Sequence, residues 1–192
     1  MQTLRRSALA ASLMFGALTP AAFASDGTIT FTGRITTQTC TISGNGGGNN
    51  FTVALPTVST AALGTAGNMA GRTPFNIRLA GCTPNAGNVA VYFEPGATVD
   101  TTTGRLINTA AATPAADDVA AVPAATNVQV GLLNANMSNI AVGSAFATQG
   151  SQQVALADGA ATLQYYAQYV ATGGAATAGN LSTTATYSVV YP

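Results

Sequence analysis

No histidine, lysine or tryptophan occurs in this chain of 192 residues, and only 6% of it is charged, against about 25% in an average soluble domain. Without histidine there is no Ser-His-Asp or Cys-His catalytic set and no imidazole to bind a metal. Two cysteines without histidine cannot make an ordinary structural zinc site. Without lysine neither a Schiff base nor a phosphate-gripping P-loop lysine is available. All six basic residues are arginines, two of which, Arg5 and Arg6, stand near the start. The other four are too few for the electrostatic footprint of a nucleic-acid-binding protein. These gaps argue against an ordinary hydrolase, kinase or DNA-binding protein before any motif is read.

The chain is 47% apolar, but about a fifth of it is Ala, and Leu, Ile, Val and Phe together supply only about another fifth. Disorder at such a composition usually needs a high net charge as well, and the formal charge here is +0. The length predicts one domain, large enough to bury roughly two-thirds of its unfolded surface. Thr, Ala and Gly must fill much of its interior.

Residues 1–24 read as a secretory signal peptide. Arg5 and Arg6 are its basic start, and Ser7 to Leu18 form an apolar stretch too short to span a bilayer. Pro20 breaks that stretch, and Ala22-Phe23-Ala24 offers small residues at both positions a signal peptidase reads. No later stretch is long and apolar enough to be a membrane span. The mature chain keeps four Arg and six acids, a net charge of about −2. Export also bears on the cysteines. Cys40 and Cys82 are the only pair in a chain leaving a reducing compartment, so they are expected to form one disulfide. The alternatives are a free thiol or an intermolecular bridge, and an even count favours neither. A closed loop of about 43 residues is worth about 4 kcal/mol in the chain-entropy model.

Between these landmarks run short segments of period-2 alternation rich in Val, Thr, Tyr and Phe: Phe75 to Leu79, Val89 to Phe93, Val128 to Leu132, and Leu163 to Tyr169. Asn45 to Asn50 and Gly173 to Gly179 read as loops, the former lacking the strand-turn-helix setting of a phosphate cradle. Ala110 to Ala125 is low in complexity, and Pro114 and Pro123 limit any helix there to a turn or two. No segment sustains a 3.6 period. Short strands separated by Gly, Pro and Asn turns predict an antiparallel β-sandwich.

Both ends of the mature chain carry pattern where termini are usually frayed and polar. Near the start, Ile29, Phe31, Gly33 and Ile35 alternate with Thr30, Thr32 and Arg34. At the finish, Tyr187, Val189 and Tyr191 alternate with Ser188 and Val190. Each end is thus expected to be a strand with one apolar face. Both could belong to the chain's own sandwich. That is weaker for the first, which precedes the cysteine pair and carries Gly33 in its apolar stripe; an interior glycine often marks close approach of another backbone.

These residues together resemble the type 1 fimbrial subunits of the chaperone-usher pathway, over the whole mature chain. Gly27 to Ile35 followed by Cys40 looks like that family's N-terminal extension, and Tyr166 to Ala175 matches its late-strand pattern. Gly179, fourteenth from the end, and the penultimate Tyr191 are family hallmarks. Pro192 departs from the pattern, since it has no N–H to donate to a ladder. The resemblance implies an all-β, incomplete immunoglobulin-like sandwich lacking its last strand. It divides the chain into residues 1–24, a signal peptide; 25–36, a donor-strand extension; and 37–192, a pilin domain. It implies that Ile29, Phe31, Gly33 and Ile35 are the donor strand, and that Gly179, Tyr187, Val189 and Tyr191 belong to the groove strand first held by a chaperone.

The function so implied is a structural subunit of a surface filament used for adhesion, polymerising by donor-strand complementation, a known form of β-augmentation. The expected partners are neighbouring copies in a homopolymer, a periplasmic chaperone, an outer-membrane usher and host receptors, with no nucleic acid. No cofactor and no metal are expected. The readings kept beside this one are a minor or adaptor pilin and a ligand-binding fimbrial adhesin. A two-domain adhesin needs a separate lectin domain in front, and the strand-like extension begins about four residues past the cleavage site. Catalysis is not expected: Asp117 and Asp118 lie in the Ala-rich loop, Glu94 stands in a turn before Pro95, and no acid-base pair is brought together.

Overall fold

The computed structural model describes residues 29–115 and 120–192. The expected signal peptide, Gly27, Thr28, Asp117 and Asp118 lie outside the described residues. The chain divides into two units, 1–35 and 36–192. Within the first, residues 29–35 form no strand, and Ile29, Phe31 and Ile35 are 79%, 88% and 100% exposed. This differs from the expected strand for a simple reason: extended backbone becomes a strand only when its N–H and C=O groups find a second edge.

The second unit is a two-sheet β-structure. Among the described residues ten strands follow one another: β1 (Thr39–Gly44), β2 (Met69–Thr83), β3 (Asn88–Phe93), β4 (Val99–Asp100), β5 (Arg105–Ile107), β6 (Val128–Asn134), β7 (Asn139–Ile140), β8 (Gln153–Ala155), β9 (Ala161–Ala171) and β10 (Tyr187–Val190). The larger sheet has the order β1-β2-β9-β6-β5-β4, with β7 beside β6; the smaller is β10-β3-β8. All these pairings are antiparallel. A single four-residue helix, α1 (Phe146–Gln149), and a 3₁₀ turn at Thr60–Leu63 complete the regular structure of the described residues.

The core sits where the alternation places it. Phe75, Ile77 and Leu79 of β2, Val89, Val91 and Phe93 of β3, and Leu163, Tyr165 and Ala167 of β9 interdigitate between the sheets. Side chains two apart share a face, so each strand delivers three residues to one interior. β6 departs from simple alternation, because all of Val128–Asn134 is buried. Its second face is covered at Gln129, whose amide donates to Asp100 Oδ2 at 2.7 Å and accepts from the Thr103 hydroxyl at 3.1 Å. In the Ala-rich segment, Thr113 and Val122 exchange backbone hydrogen bonds of 2.8 and 3.0 Å. Cys40 and Cys82 form the disulfide, tying β1 to the end of β2 with their Cα atoms 4.2 Å apart.

Candidate functional site

Two extended segments face each other across an opening in the sandwich. One is Phe51-Thr52-Val53-Ala54-Leu55, in which Phe51, Val53 and Leu55 are half-buried and Thr52 and Ala54 exposed. The other is Leu181-Ser182-Thr183-Thr184-Ala185-Thr186, where Leu181, Thr183 and Ala185 are half-buried and the residues between them exposed. Both have the side-chain period of a strand, yet neither is in a ladder. On its outer side the second segment is held by its carbonyls: Ser182 O accepts from Thr109 N at 2.8 Å, Thr184 O from the Thr98 hydroxyl at 2.6 Å, and Thr186 O from Glu94 N at 2.9 Å. The backbone groups of Leu181, Thr183 and Ala185 point the other way, into the opening, and make no backbone hydrogen bond among the described residues. Phe51 through Leu55 make none either. Two unpaired edges facing one gap have the geometry of a sheet from which one strand is missing.

The gap is a cavity of about 780 Å³ with an apolar floor. Phe75, Ile77, Phe93, Leu106, Val130 and Leu132 form that floor. They are core residues, each no more than 5% exposed, so the opening lies directly over the hydrophobic interior, beside two unpaired edges that are an association hazard until covered. One end is closed. The Tyr187 hydroxyl donates to Asn49 O at 2.8 Å across the gap, and the Phe51 ring stands edge-on to Tyr187 at 6.3 Å between centroids. A smaller cavity of about 330 Å³ lies near the other end, sharing Tyr169 and Leu181 with the first.

β10 leads out of the second segment as the edge strand of the smaller sheet, with Tyr187 opposite Phe93 and Val189 opposite Val91. Tyr187, Val189 and Tyr191 pack against the core, and burial pushes both tyrosine hydroxyls above their ordinary pKa. Tyr191 lies outside the strand, because the ladder ends at Val190; its hydroxyl instead reaches Cys40 Sγ at 3.5 Å. Pro192, which has no N–H, follows at once. Gly179 is not in β10 but begins the approach to it, backbone against backbone with 123–125. A Cβ there would stand 2.5 Å from Pro123 O. Leu163, Tyr165 and Ala167 share the floor's core, whereas Tyr169 packs against the smaller cluster around Leu63 and Val128.

Sequence reasoning missed the flank at Phe51–Leu55. Its alternation is present in the sequence, but it follows a glycine-rich turn and precedes Pro56, and its five residues offered no second strand to pair with. Glu94, expected in a turn, accepts a hydrogen bond from the Ser188 hydroxyl on the outer face of β10. Among the described residues no three His, Cys, Asp or Glu side chains are grouped to hold a metal.

Comparison with known proteins adds lineage to this geometry. The FimA family model, type-1 fimbrial protein A, matches residues 55–192. The major fimbrial subunit SMF-1 of Stenotrophomonas maltophilia is 50% identical, covering 93% of this chain and 99% of its own. The F17 fimbrial protein of Escherichia coli is 44% identical over 93% of this chain and 94% of its own. A solved subunit of a chaperone-usher pilus shares the fold at a TM-score of 0.56 with 20% identity, covering 91% of this chain and all of that one.

Proposed function

The chain belongs to the type-1 fimbrial protein family, the structural pilins of chaperone-usher fimbriae, and from that premise we propose that residues 25–36 are a donor strand that fills the open gap of a neighbouring copy. A fimbrial subunit works in a surface filament, and its family is a structural one rather than an enzyme family. The observation that carries the finer reading is the pairing of two halves of one sheet problem. Residues 29–35 have an apolar stripe and no ladder; the gap has an apolar floor and two unpaired edges. A strand supplied by each copy to the next satisfies both.

Such a contact is heterologous and does not close on itself, so it propagates as a filament. Before assembly the gap needs a temporary occupant, which makes a periplasmic chaperone the first partner, with Tyr187, Val189 and Tyr191 on the strand it holds. An outer-membrane usher then exchanges chaperone for donor strand, after export directed by residues 1–24. The chain acts as the shaft-forming major subunit, in keeping with the name of its Stenotrophomonas relative. It has no catalytic role; adhesion to host receptors is a property of the assembled fibre.

Deletion of 27–35 tests this. The shortened chain is expected to co-purify with its chaperone, because the gap is intact, and to yield no surface fibres by electron microscopy. If residues 29–35 were instead the chain's own first strand, the deletion would unfold the domain and abolish chaperone capture as well. Normal fibres from the shortened chain would overturn the assignment.

A further inference from the structure

The flank at 51–55 is an unpaired edge lying beside another unpaired edge of its own subunit. The β1–β2 ladder ends at Gly44 opposite Ile77. From Asn76 back to Met69, β2 has β9 on one side and, among the described residues, no strand on the other. The chain from Phe51 to Val58 passes along that free side. The Phe51 and Phe75 rings are 6.2 Å apart, and a Cβ on Gly71 would stand 3.2 Å from Val58 Cγ1. Two neighbouring edges with strand periodicity ordinarily zip together. Here no backbone hydrogen bond joins them among the described residues.

Three local features account for this. The first is Asn45. Continued by one residue, the β1–β2 ladder would pair Asn45 with Asn76. Asn45 N does donate to Asn76 O at 3.1 Å. Asn45 lies at φ 47°, however, and its side-chain Oδ1 rather than its backbone oxygen accepts from Asn76 N at 2.9 Å. Both backbone groups of Asn76 are thereby used. The left-handed turn through Gly46, closed by Gly47 N donating to Gly44 O at 2.8 Å, then peels the chain away from β2.

The second feature is Pro74. Residues two apart in a strand direct their backbone groups to the same side, so position 74 aims at the free edge as Asn76 does. Proline has no N–H to offer there, and a strand interior tolerates it only on such a side. The third is a bulge. Ala70 stands opposite Tyr169 and Thr73 opposite Ala167, so Gly71 and Arg72 share one partner, Gln168. Gly71 is at φ 66°, and Arg72 Nε donates to Gln168 Oε1 at 3.0 Å. A bulge with a left-handed glycine bends the strand and interrupts the regular spacing of its edge groups.

We infer that Asn45, Pro74 and the Gly71–Arg72 bulge are positioning residues that hold the 51–55 flank off β2 and so keep the gap open. The inference rests on the donor-strand reading only for what the open flank is used for. Without these features the flank would add to the larger sheet beside β2, as β1 does one turn earlier. The gap would then lose one of its two unpaired edges, and an edge satisfied within its own subunit has no groups to offer another strand. β2 prevents this by withholding donors along its free edge. The consequence has a sign that ordinary damage to a fold lacks: restoring the edge protects the lone subunit while impairing its assembly.

The test compares the full-length exported chain with Pro74→Val, with Asn45→Gly/Pro74→Val and with Asn45→Asp. Glycine keeps the left-handed turn and removes the cap, whereas aspartate keeps both. Two quantities are read: amide hydrogen exchange over 51–55 in the dilute, refolded, disulfide-intact chain, and the number of surface fibres by electron microscopy. In the double variant, exchange is expected to slow at least tenfold and fibre number to fall at least tenfold. Pro74→Val alone should lie between it and the parent, and Asn45→Asp should match the parent on both counts. Exchange that is unchanged or faster in Pro74→Val and in the double variant would overturn the inference. If the double variant does not refold, Pro74→Val, a change at an exposed position, decides the question alone. Slowed exchange with fibres at the parent level would uphold the role of these residues and overturn the donor-strand reading, because fibres would then form without the flank.

Discussion

Gln149 shows how single side chains complete this sheet. It is 1% exposed, on the last turn of α1, beside the stretch of β3 that β8 does not reach. Its amide accepts from Phe93 N at 2.9 Å and donates to Phe93 O at 2.6 Å, so one side chain stands in for a neighbouring strand. Gln149→Leu keeps the volume but strands the buried Phe93 N–H, while Phe93 O keeps only the bond from Gly143 N at 3.2 Å. It is expected to destabilise the subunit by about 1–3 kcal/mol, read from denaturant unfolding of assembled fibres. Gln149→Glu, by contrast, replaces the donating NH₂ and should fail for a different reason, a buried charge facing a carbonyl. Two titrating groups contribute to the pH dependence of the fold. Burial pushes the Tyr165 hydroxyl up to about 12, with the Ser151 hydroxyl opposing weakly. Above pH ~10 an unfolded tyrosine ionises while Tyr165 stays neutral, so the folded state loses stability as pH rises from about 10 to about 12, approaching about 2–3 kcal/mol. At the acid end, the Gln129 amide, then the Thr102 N–H and the Thr103 groups, hold the Asp100 carboxyl below its ordinary range. Its contribution is present above the unfolded value near 3.8 and is lost as pH falls through the lowered folded value. Alkaline unfolding should therefore move to higher pH in Tyr165→Phe, and acid unfolding should lose part of its slope in Asp100→Asn.

At the level of elements, the disulfide pins the strand next to the extension. Cys40 and Cys82 are 42 residues apart in sequence, and the β1–β2 ladder they tie is irregular between Thr39 and Thr41. Cys82→Ser, with Cys40→Ser to avoid a free thiol, should cost up to about 4 kcal/mol and lower periplasmic yield. Intact-mass measurement after alkylation without reduction should find both thiols protected in the exported parent chain. The sequence was a good guide to such elements where one strand carried a complete signal by itself. Val89–Phe93 and Leu163–Tyr169 alternate, and they are β3 and the heart of β9; the paired cysteines in an exported chain are bonded. It was a poor guide where a strand exists only by virtue of its partner. β4, β5, β7 and β8 are two or three residues long, too short to show a period, and are fixed by the strands they join. The same dependence hid the Phe51–Leu55 flank and left residues 29–35, read as a strand, without a ladder in the single chain. The prolines of Ala110–Ala125 bore only on helix and gave no sign of the Thr113–Val122 bridge, which joins residues nine apart through backbone alone. Gly179, legible only as a family mark, is explained by contact: its hydrogen would have to give way to a Cβ against Pro123 O and Ala125 N. Gly179→Ala should part the 123–125 and 178–180 backbones and cost about 1–3 kcal/mol, with yield falling whether or not the gap is filled.

The described molecule has one strand too few in its sandwich and one strand's worth of sequence left over, and Gly33 separates the two halves of that account most cleanly. Three large side chains, Ile29, Phe31 and Ile35, are 79%, 88% and 100% exposed in the single chain and would pass to an apolar floor on the proposed docking. At about 1.5–3 kcal/mol each they contribute roughly 5–9 kcal/mol as an upper estimate, before the ladder bonds of two flanks are added. Gly33 contributes no burial of its own. In the single chain, a Cβ at Gly33 would meet nothing within 4 Å. Enlarging it therefore has no way to disturb the subunit's own fold, whereas any other change in the core confounds folding with assembly. Gly33→Leu should leave secretion, disulfide formation and chaperone capture at the parent level. On the proposed docking the matter differs, because four carbon atoms would then have to fit between the extension and the floor of the gap. Overpacking of a formed interior typically costs about 1–3 kcal/mol, and a strand that cannot seat at its middle also forfeits ladder bonds on either side. Fibres should accordingly be absent or few by electron microscopy, with subunits accumulating as chaperone complexes. A graded series sharpens the test: Gly33→Ala should retain part of the assembly, and the loss should deepen with side-chain volume rather than with polarity. If Gly33→Leu instead lowered chaperone capture and fibre number in equal proportion, residues 29–35 would be acting within their own subunit and the missing strand would have to come from elsewhere.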